Sequence, residues 1–208
     1  MSGLFITMEG CEGAGKSLQC KKLSGYLTGA GYATLLTREP GGTDLSEQLR
    51  KLILDVKNES MCAEAEALLY SASRAQLVSE IIRPALAEGK IVISDRFTDS
   101  SVAYQGYARK LGAEVIKNIN AFATGYLYPD ITFFLDIDPA GSFSRKRKNA
   151  AFDRIELEDR DFHQNVYEGY KKLAKDNPDK IVTIDARREP REIHEEIVNK
   201  VNILLKLE

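Results

Sequence analysis

The sequence predicts a three-layer α/β fold: a five-stranded parallel sheet with helices on both faces and a short lid. Short apolar runs alternate with longer amphipathic stretches, the pattern of βαβ crossovers whose strands are buried on both sides. A glycine-rich turn joins the first apolar run to the first amphipathic stretch. No internal repeat, low-complexity segment or linker divides the 208 residues, a length that a single α/β domain can occupy.

The elements follow in chain order. Residues 4–8, Leu-Phe-Ile-Thr-Met, read as a short buried strand, and 18–31 as a helix with Leu18, Leu23 and Leu27 near one side. A second strand is expected at 32–37, then a helix at 45–54 carrying Leu45, Leu49, Leu52 and Ile53. A long helix at 64–86 places Leu68, Leu69, Ala72 and Ile82 toward the core, and Gly89 ends it. The third strand is 90–94, followed by a helical region at 98–125 that breaks near Gly112. The fourth and fifth strands are 131–135 and 181–184. Ile193, Ile197, Val201 and Leu205 form the stripe of a closing helix. The one compositional break is Arg145-Lys-Arg-Lys-Asn-Ala-Ala-Phe-Asp-Arg154, basic and weakly patterned, which reads as a flap. We expect one domain over 1–208 with a lid at approximately 145–158.

Bulk composition excludes several classes. The chain is 43% hydrophobic and 29% charged, an ordinary globular balance. A net charge of −2 and a pI near 5.9 argue against a protein held to nucleic acid by bulk electrostatics. Cys11, Cys20 and Cys62 are odd in number and lack metal-ligand spacing, which suits buried thiols in a reducing compartment. The chain enters a strand within a few residues, leaving no room for a signal peptide, and no apolar run approaches the ~20 residues that cross a bilayer. A cytoplasmic location is expected, without membrane or nucleic-acid partners.

The chemistry starts at Glu9-Gly-Cys-Glu-Gly-Ala-Gly-Lys-Ser17, where Gly10, Gly15, Lys16 and Ser17 fit G-x-x-x-x-G-K-[ST]. A turn of this kind between strand and helix aims backbone N–H groups and the positive helix end at one point, where phosphate oxygens fit. Lys16 would reach the β- and γ-phosphates and Ser17 would hold Mg²⁺. In open parallel sheets ligands lie beyond the carboxyl ends of the strands. Asp95 and Arg96 follow the third strand, as a magnesium partner and a phosphate grip or as a structural ion pair. Asp136 and Asp138 are rivals for the metal, although Asp138-Pro139 looks more like a helix start. The loop Thr37-Arg-Glu-Pro-Gly-Gly-Thr43 belongs at the same sheet edge. Tyr70 with Arg74, and Ser101 with Tyr104 and Gln105, offer a stacking face and polar groups for a base, or a solvated helix surface. Arginines in a closing lid would put positive charge over a moving γ-phosphate.

Several of these segments match one family. Together with Leu68-Leu-Tyr-Ser-Ala-Ser-Arg74, Ser94-Asp-Arg96, Ala103-Tyr-Gln-Gly106 and Phe152-Asp-Arg-Ile-Glu156, the phosphate loop and the Arg-Glu-Pro-Gly-Gly loop make the sequence resemble bacterial thymidylate kinases over essentially its whole length. The resemblance implies a P-loop nucleoside monophosphate kinase fold and Mg²⁺-dependent transfer of the ATP γ-phosphate to dTMP, giving dTDP in dTTP biosynthesis, by a homodimer. It assigns Gly10, Cys11, Glu12, Gly13, Ala14, Gly15, Lys16 and Ser17 to ATP, with Glu12 also near the dTMP sugar. Tyr70 would stack on thymine, Arg74, Ser101 and Gln105 would meet the base edge, and Tyr104 would sit near the sugar. Arg96 would bind the acceptor phosphate, and Asp95 would assist the metal held by Ser17. One group of the family carries its catalytic arginine at the position of Gly13; this chain resembles the other, with the arginine in the lid, Arg154 first and Arg147 second. Tyr70 stands where phenylalanine is more usual and Ser17 where threonine is commoner. The rival readings are another nucleoside monophosphate kinase and a GTP-dependent switch, for which no Asn-Lys-x-Asp segment is present.

Overall fold

The computed structural model describes residues 3–144 and 152–206. Its centre is a five-stranded parallel sheet of β1 (Leu4–Glu9), β2 (Thr34–Arg38), β3 (Ile91–Asp95), β4 (Ile131–Asp136) and β5 (Ile181–Asp185), in the order β2-β3-β1-β4-β5. Ile6 pairs with Ile93 on one side and with Ile131 on the other, so β1 is the middle strand. The two-residue period of a strand sends Ile6 and Met8 to one face, with Leu23, Leu27 and Ile197, and Phe5 to the other, with Leu77, Ile82 and Phe97. Both sets are buried, which is why the strand reads as a continuous apolar run.

On the first face lie α1 (Lys16–Gly29) and α9 (Pro190–Leu205). The other layer contains α2 (Asp44–Leu54), α3 (Ala63–Leu77), α6 (Ala113–Thr124) and α8 (Arg160–Asp176). The helix expected at 64–86 is three pieces: α3, a π-helical stretch over Val78–Ile82, and α4 (Arg83–Ala87). Pro84 has no N–H for a continuous helical ladder, and it falls in the first turn of α4, where none is needed. The region expected at 98–125 likewise divides into α5 (Thr98–Ser101), a π-helical stretch over Val102–Ala108, and α6, with Gly112 at φ 94 marking the break. The short α7 (Pro139–Ser144) follows β4.

On α2 and α3 several leucines expected in the core lie on the outer side instead. Ile53 and Ile82 are fully buried, but Leu68 is 58% exposed, Ala72 is exposed, and Leu45 and Leu52 are exposed too. Glu66, Ala67, Ser71, Ser73, Arg74 and Leu77 turn inward on α3 instead. Of this helix only Tyr70 lines a cleft; Glu66 and Arg74 are buried behind it by ion pairs and hydrogen bonds, so apolar periodicity pointed to the outer side. Leu18 is exposed at the mouth of that cleft. Cys11 and Cys20 are buried as expected, whereas Cys62 is exposed. Among the described residues no helix is long and apolar enough to cross a membrane.

Candidate active site

A cleft of about 390 Å³ opens at the carboxyl ends of β1, β2 and β3. Its floor is the loop from Gly10 to Gly15, in which Gly10, Gly13 and Gly15 take φ values of 137, 78 and 97. These left-handed conformations favour glycine, and two are also sterically enforced. A Cβ on Gly10 would lie 2.7 Å from the Leu135 carbonyl oxygen, and one on Gly13 would collide with the carbonyl oxygen of Ser142. Lys16 opens α1 and arches back over the loop, its Nζ donating to the carbonyls of Gly10 (2.9 Å) and Cys11 (2.7 Å). Burial, aided by Arg96, pushes this ammonium below its ordinary pKa, against the pull of Glu12 and Asp95.

The end of β3 meets the loop through two contacts. The Ser17 hydroxyl donates to the Asp95 carboxylate, and Arg96 pairs with Glu12. Arg96 is a non-glycine residue at φ 76, a strained conformation of the kind found where a side chain must be aimed. Its Nη1 donates to the Gly10 carbonyl (3.0 Å), Ser100 (3.2 Å) and Tyr170 (3.1 Å), and the guanidinium lies 5.2 Å from the centre of the Tyr104 ring. Although burial opposes it, Glu12 holds this guanidinium above its ordinary pKa. Beneath it the buried Glu9 carboxylate accepts from Ser100 Oγ (2.6 Å), Phe97 N (2.8 Å) and Tyr170 OH (2.9 Å). Burial raises the Glu9 carboxyl and Arg96 opposes the rise.

The far wall is polar. Tyr70, Ser101, Tyr104 and Gln105 line the cleft, together with Glu12, Gly13, Gly15, Lys16, Ser17, Asp95 and Arg96. Gly10, Cys11 and Ala14 shape the loop from behind without lining the cleft. Arg74 is 1% exposed and lies behind Ser101, donating to Ser101 Oγ (3.1 Å), Asn120 Oδ1 (2.6 Å), the Phe97 carbonyl (3.1 Å) and Glu39 (2.7 Å). Asp136 accepts from the Tyr167 hydroxyl at 2.9 Å and Asp138 caps the start of α7 through Gly141 N. Neither of these two aspartates lines the cleft.

Arg154 is oriented differently from the expectation that placed it over the phosphates. Its Nε donates to the Ile53 carbonyl at 2.9 Å and its Nη2 to Glu66 at 2.7 Å, and it is 6% exposed outside the cleft. Arg147 and the rest of 145–151 lie outside the described residues. Sequence reasoning assigned no role to Arg38, Glu39, Arg50, Asp153 or Glu156, all of which line the cleft. Arg38 and Glu39 sit in a loop already singled out, and Asp153 and Glu156 in the Asp-Arg-Ile-Glu segment. Arg50 gave no signal, because an arginine among the leucines of an amphipathic helix reads as solvated surface. Its Nη1 donates to the Pro40 carbonyl at 2.8 Å.

The donor set suits a hard cation beside phosphate. Ser17 and Asp95 could supply oxygen ligands, and among the described residues no His, Cys, Asp or Glu group of three forms a protein-only cage. Mg²⁺ takes few protein ligands when phosphates and water complete its shell.

The family model for thymidylate kinase matches residues 8–197. A thymidylate kinase of Thermoanaerobacter sp. (strain X514) is 49% identical over 201 residues, covering 97% of this chain and 98% of that one. One of Lactobacillus helveticus (strain DPC 4571) is 50% identical over 204 residues, covering 97% and 94%. The crystal structure of thymidylate kinase from Ehrlichia chaffeensis superposes with a TM-score of 0.79 at 33% identity, covering 97% of this chain and 99% of that one. On sequence and fold alike, this chain belongs to the thymidylate kinase family.

Proposed function

We propose that the chain transfers the γ-phosphoryl group of ATP to dTMP in this cleft, by in-line displacement, giving dTDP and ADP. The observation that carries the proposal is the position of Arg96. Its guanidinium touches Gly10 and Glu12 of the phosphate loop on one side and Tyr104 of the far wall on the other. A cation there spans donor and acceptor sites and can bind the acceptor phosphate at the junction.

The loop amides and Lys16 would hold the ATP phosphates. Ser17 and Asp95 would hold Mg²⁺, which when bound neutralises phosphate charge. Tyr70 would face the base, Ser101 and Gln105 its polar edge with Arg74 behind them, and Tyr104 and Glu12 the sugar. The acceptor is already an anionic phosphate, so no strong general base is needed, and rate comes from positioning and charge. For the lid arginine we favour Arg147 over Arg154, because Arg154 spends its guanidinium on Glu66 and Ile53. Arg38 and Arg50 add positive charge to the acceptor side.

A panel of dTMP, dUMP, UMP, CMP, AMP and GMP with ATP, read as ADP formation, tests the assignment; preference for any acceptor other than dTMP overturns it. We also propose a cytoplasmic homodimer. The exposed outer side of α3 at Leu68 and Ala72 supports this contact. Light scattering at micromolar concentration should give twice 23.2 kDa, and a single 23.2 kDa species rejects the dimer.

A further inference from the structure

Behind the far wall of the cleft lies a carboxylate that does not itself line the cleft. Glu66, on the inner side of α3, has a side chain with 0% exposure. Its Oε1 accepts from Gln105 Nε2 at 2.8 Å and from Arg109 Nε at 3.2 Å. Its Oε2 accepts from Arg109 Nη2 at 2.9 Å and Arg154 Nη2 at 2.7 Å. Arg109 is held in turn by Glu158, and Arg154 by the Ile53 carbonyl. Two guanidinium groups thus offset the cost of burying the charge, and every donor is oriented.

The contact to Gln105 has a chemical consequence. A side-chain amide has one donor end and one acceptor end, and an ionised carboxylate can only accept. The NH₂ end of Gln105 must therefore face Glu66, and a flip would set its carbonyl oxygen against a negative charge. That fixes the carbonyl oxygen on the side away from Glu66, in a residue that lines the cleft beside Tyr70 and Ser101. Thymine and uracil carry a hydrogen on N3, whereas cytosine presents a bare N3 lone pair. A fixed acceptor oxygen matches the first and repels the second.

We propose that Glu66 is a positioning residue for base selection: it locks the Gln105 amide so that the pocket accepts a pyrimidine bearing an N3–H and disfavours cytosine. Arg109 and Arg154 hold Glu66 in register, giving Arg154 a role different from charge stabilisation at the phosphates. The inference rests on the reading that the base lies against Tyr70 and Gln105.

Glu66→Gln tests it, because a neutral amide at this position can present either end and releases the lock. For dTMP, KM should rise about 10-fold while kcat changes less than about 3-fold, and the dTMP over dCMP preference in kcat/KM should fall at least about 10-fold, the scale of one oriented hydrogen bond. A folded E66Q enzyme with the wild-type preference overturns the proposal. Equal loss for both nucleotides, through kcat alone, also overturns it, since that is the mark of a merely structural residue. A wild-type enzyme with no preference for dTMP over dCMP would instead defeat the underlying reading of the pocket. Should E66Q fail to fold, the wild-type protein still decides. The Gln105 side-chain NH₂ signals, assigned by their disappearance in Gln105→Leu, should exchange with solvent at least about 10-fold more slowly than those of surface glutamines. Exchange at the surface rate overturns the lock.

Discussion

The Ser17 hydroxyl donates a hydrogen bond to the Asp95 carboxylate, linking residues 78 positions apart. It joins the first turn of α1 to the end of β3 because β1 and β3 are neighbours in the sheet, with Met8 opposite Asp95. Two oxygens that belong to different crossovers are thereby brought within hydrogen-bonding reach of each other.

Asp95→Asn keeps the shape of that pair and removes its charge. We expect kcat to fall about 100-fold or more, in line with the loss of one electrostatic group at a reacting centre. Half-saturation by Mg²⁺ should shift to higher concentration. Titration of activity against Mg²⁺ checks both, and an unchanged metal dependence removes Asp95 from the metal role.

Arg154→Ala should act mainly on stability. It leaves the buried Glu66 with one guanidinium instead of two, a loss of about 3 kcal/mol by analogy with broken buried pairs. Burial would raise the Glu66 carboxyl, but Arg109, Gln105 and Arg154 together hold it below the ordinary value of 4.5. A depressed carboxyl contributes stability above that ordinary value and loses it as pH falls through the lower folded value. Removing Arg154 narrows the difference, so acid unfolding should begin at higher pH. Urea melts across pH 3–7 measure this, and a wild-type acid midpoint would contradict it.

Gly13→Arg imitates kinases that keep the arginine in the phosphate loop, but this backbone should not accept it. Gly13 sits at φ 78 and a Cβ would strike the Ser142 carbonyl. Strain of about 1–3 kcal/mol should lower the melting temperature and weaken ATP binding. A variant with unchanged melting and ATP affinity would show that α7 can move aside.

The three thiols should differ in reactivity. Burial pushes Cys11 up to about 11, with Lys16 and Arg96 only partly opposing, and burial raises the Cys20 thiol as well. Thiolate is the reacting form, so at pH 8 only the exposed Cys62 should be alkylated in the native protein. Labelling of Cys11 should become appreciable only as the pH approaches 11. Peptide mass mapping after brief iodoacetamide treatment decides, and rapid labelling of Cys11 at pH 8 would refute the buried environment.

Much of the fold was legible because its three inner strands, β1, β3 and β4, are buried on both faces and its first turn carries glycines that the backbone requires. Strand order, by contrast, comes from pairing at long range, which no local pattern encodes. Helix sides were misread where a helix borders the cleft: on α3 the apolar Leu68 faces out while Glu66 and Arg74 face in. Within the cleft, Lys16, Ser17, Asp95 and Arg96 could be found from motif and strand-end position. Arg50 could not, since nothing local separates an arginine that lines a cleft from one in water. Arg154 shows the same limit from the other direction. Its segment was identified, but its direction depends on a buried partner on another helix.

The strand that carries the phosphate loop is the earliest along the chain and also the middle one of the sheet. Its neighbours are β3 and β4, so its two edges stay unpaired until 91–95 and 131–136 have been made. During synthesis the glycine-rich segment therefore emerges long before anything can hold it in shape. The loop at the end of β1 is flanked on both sides only once β3 and β4, which lie far later in the chain, are in place.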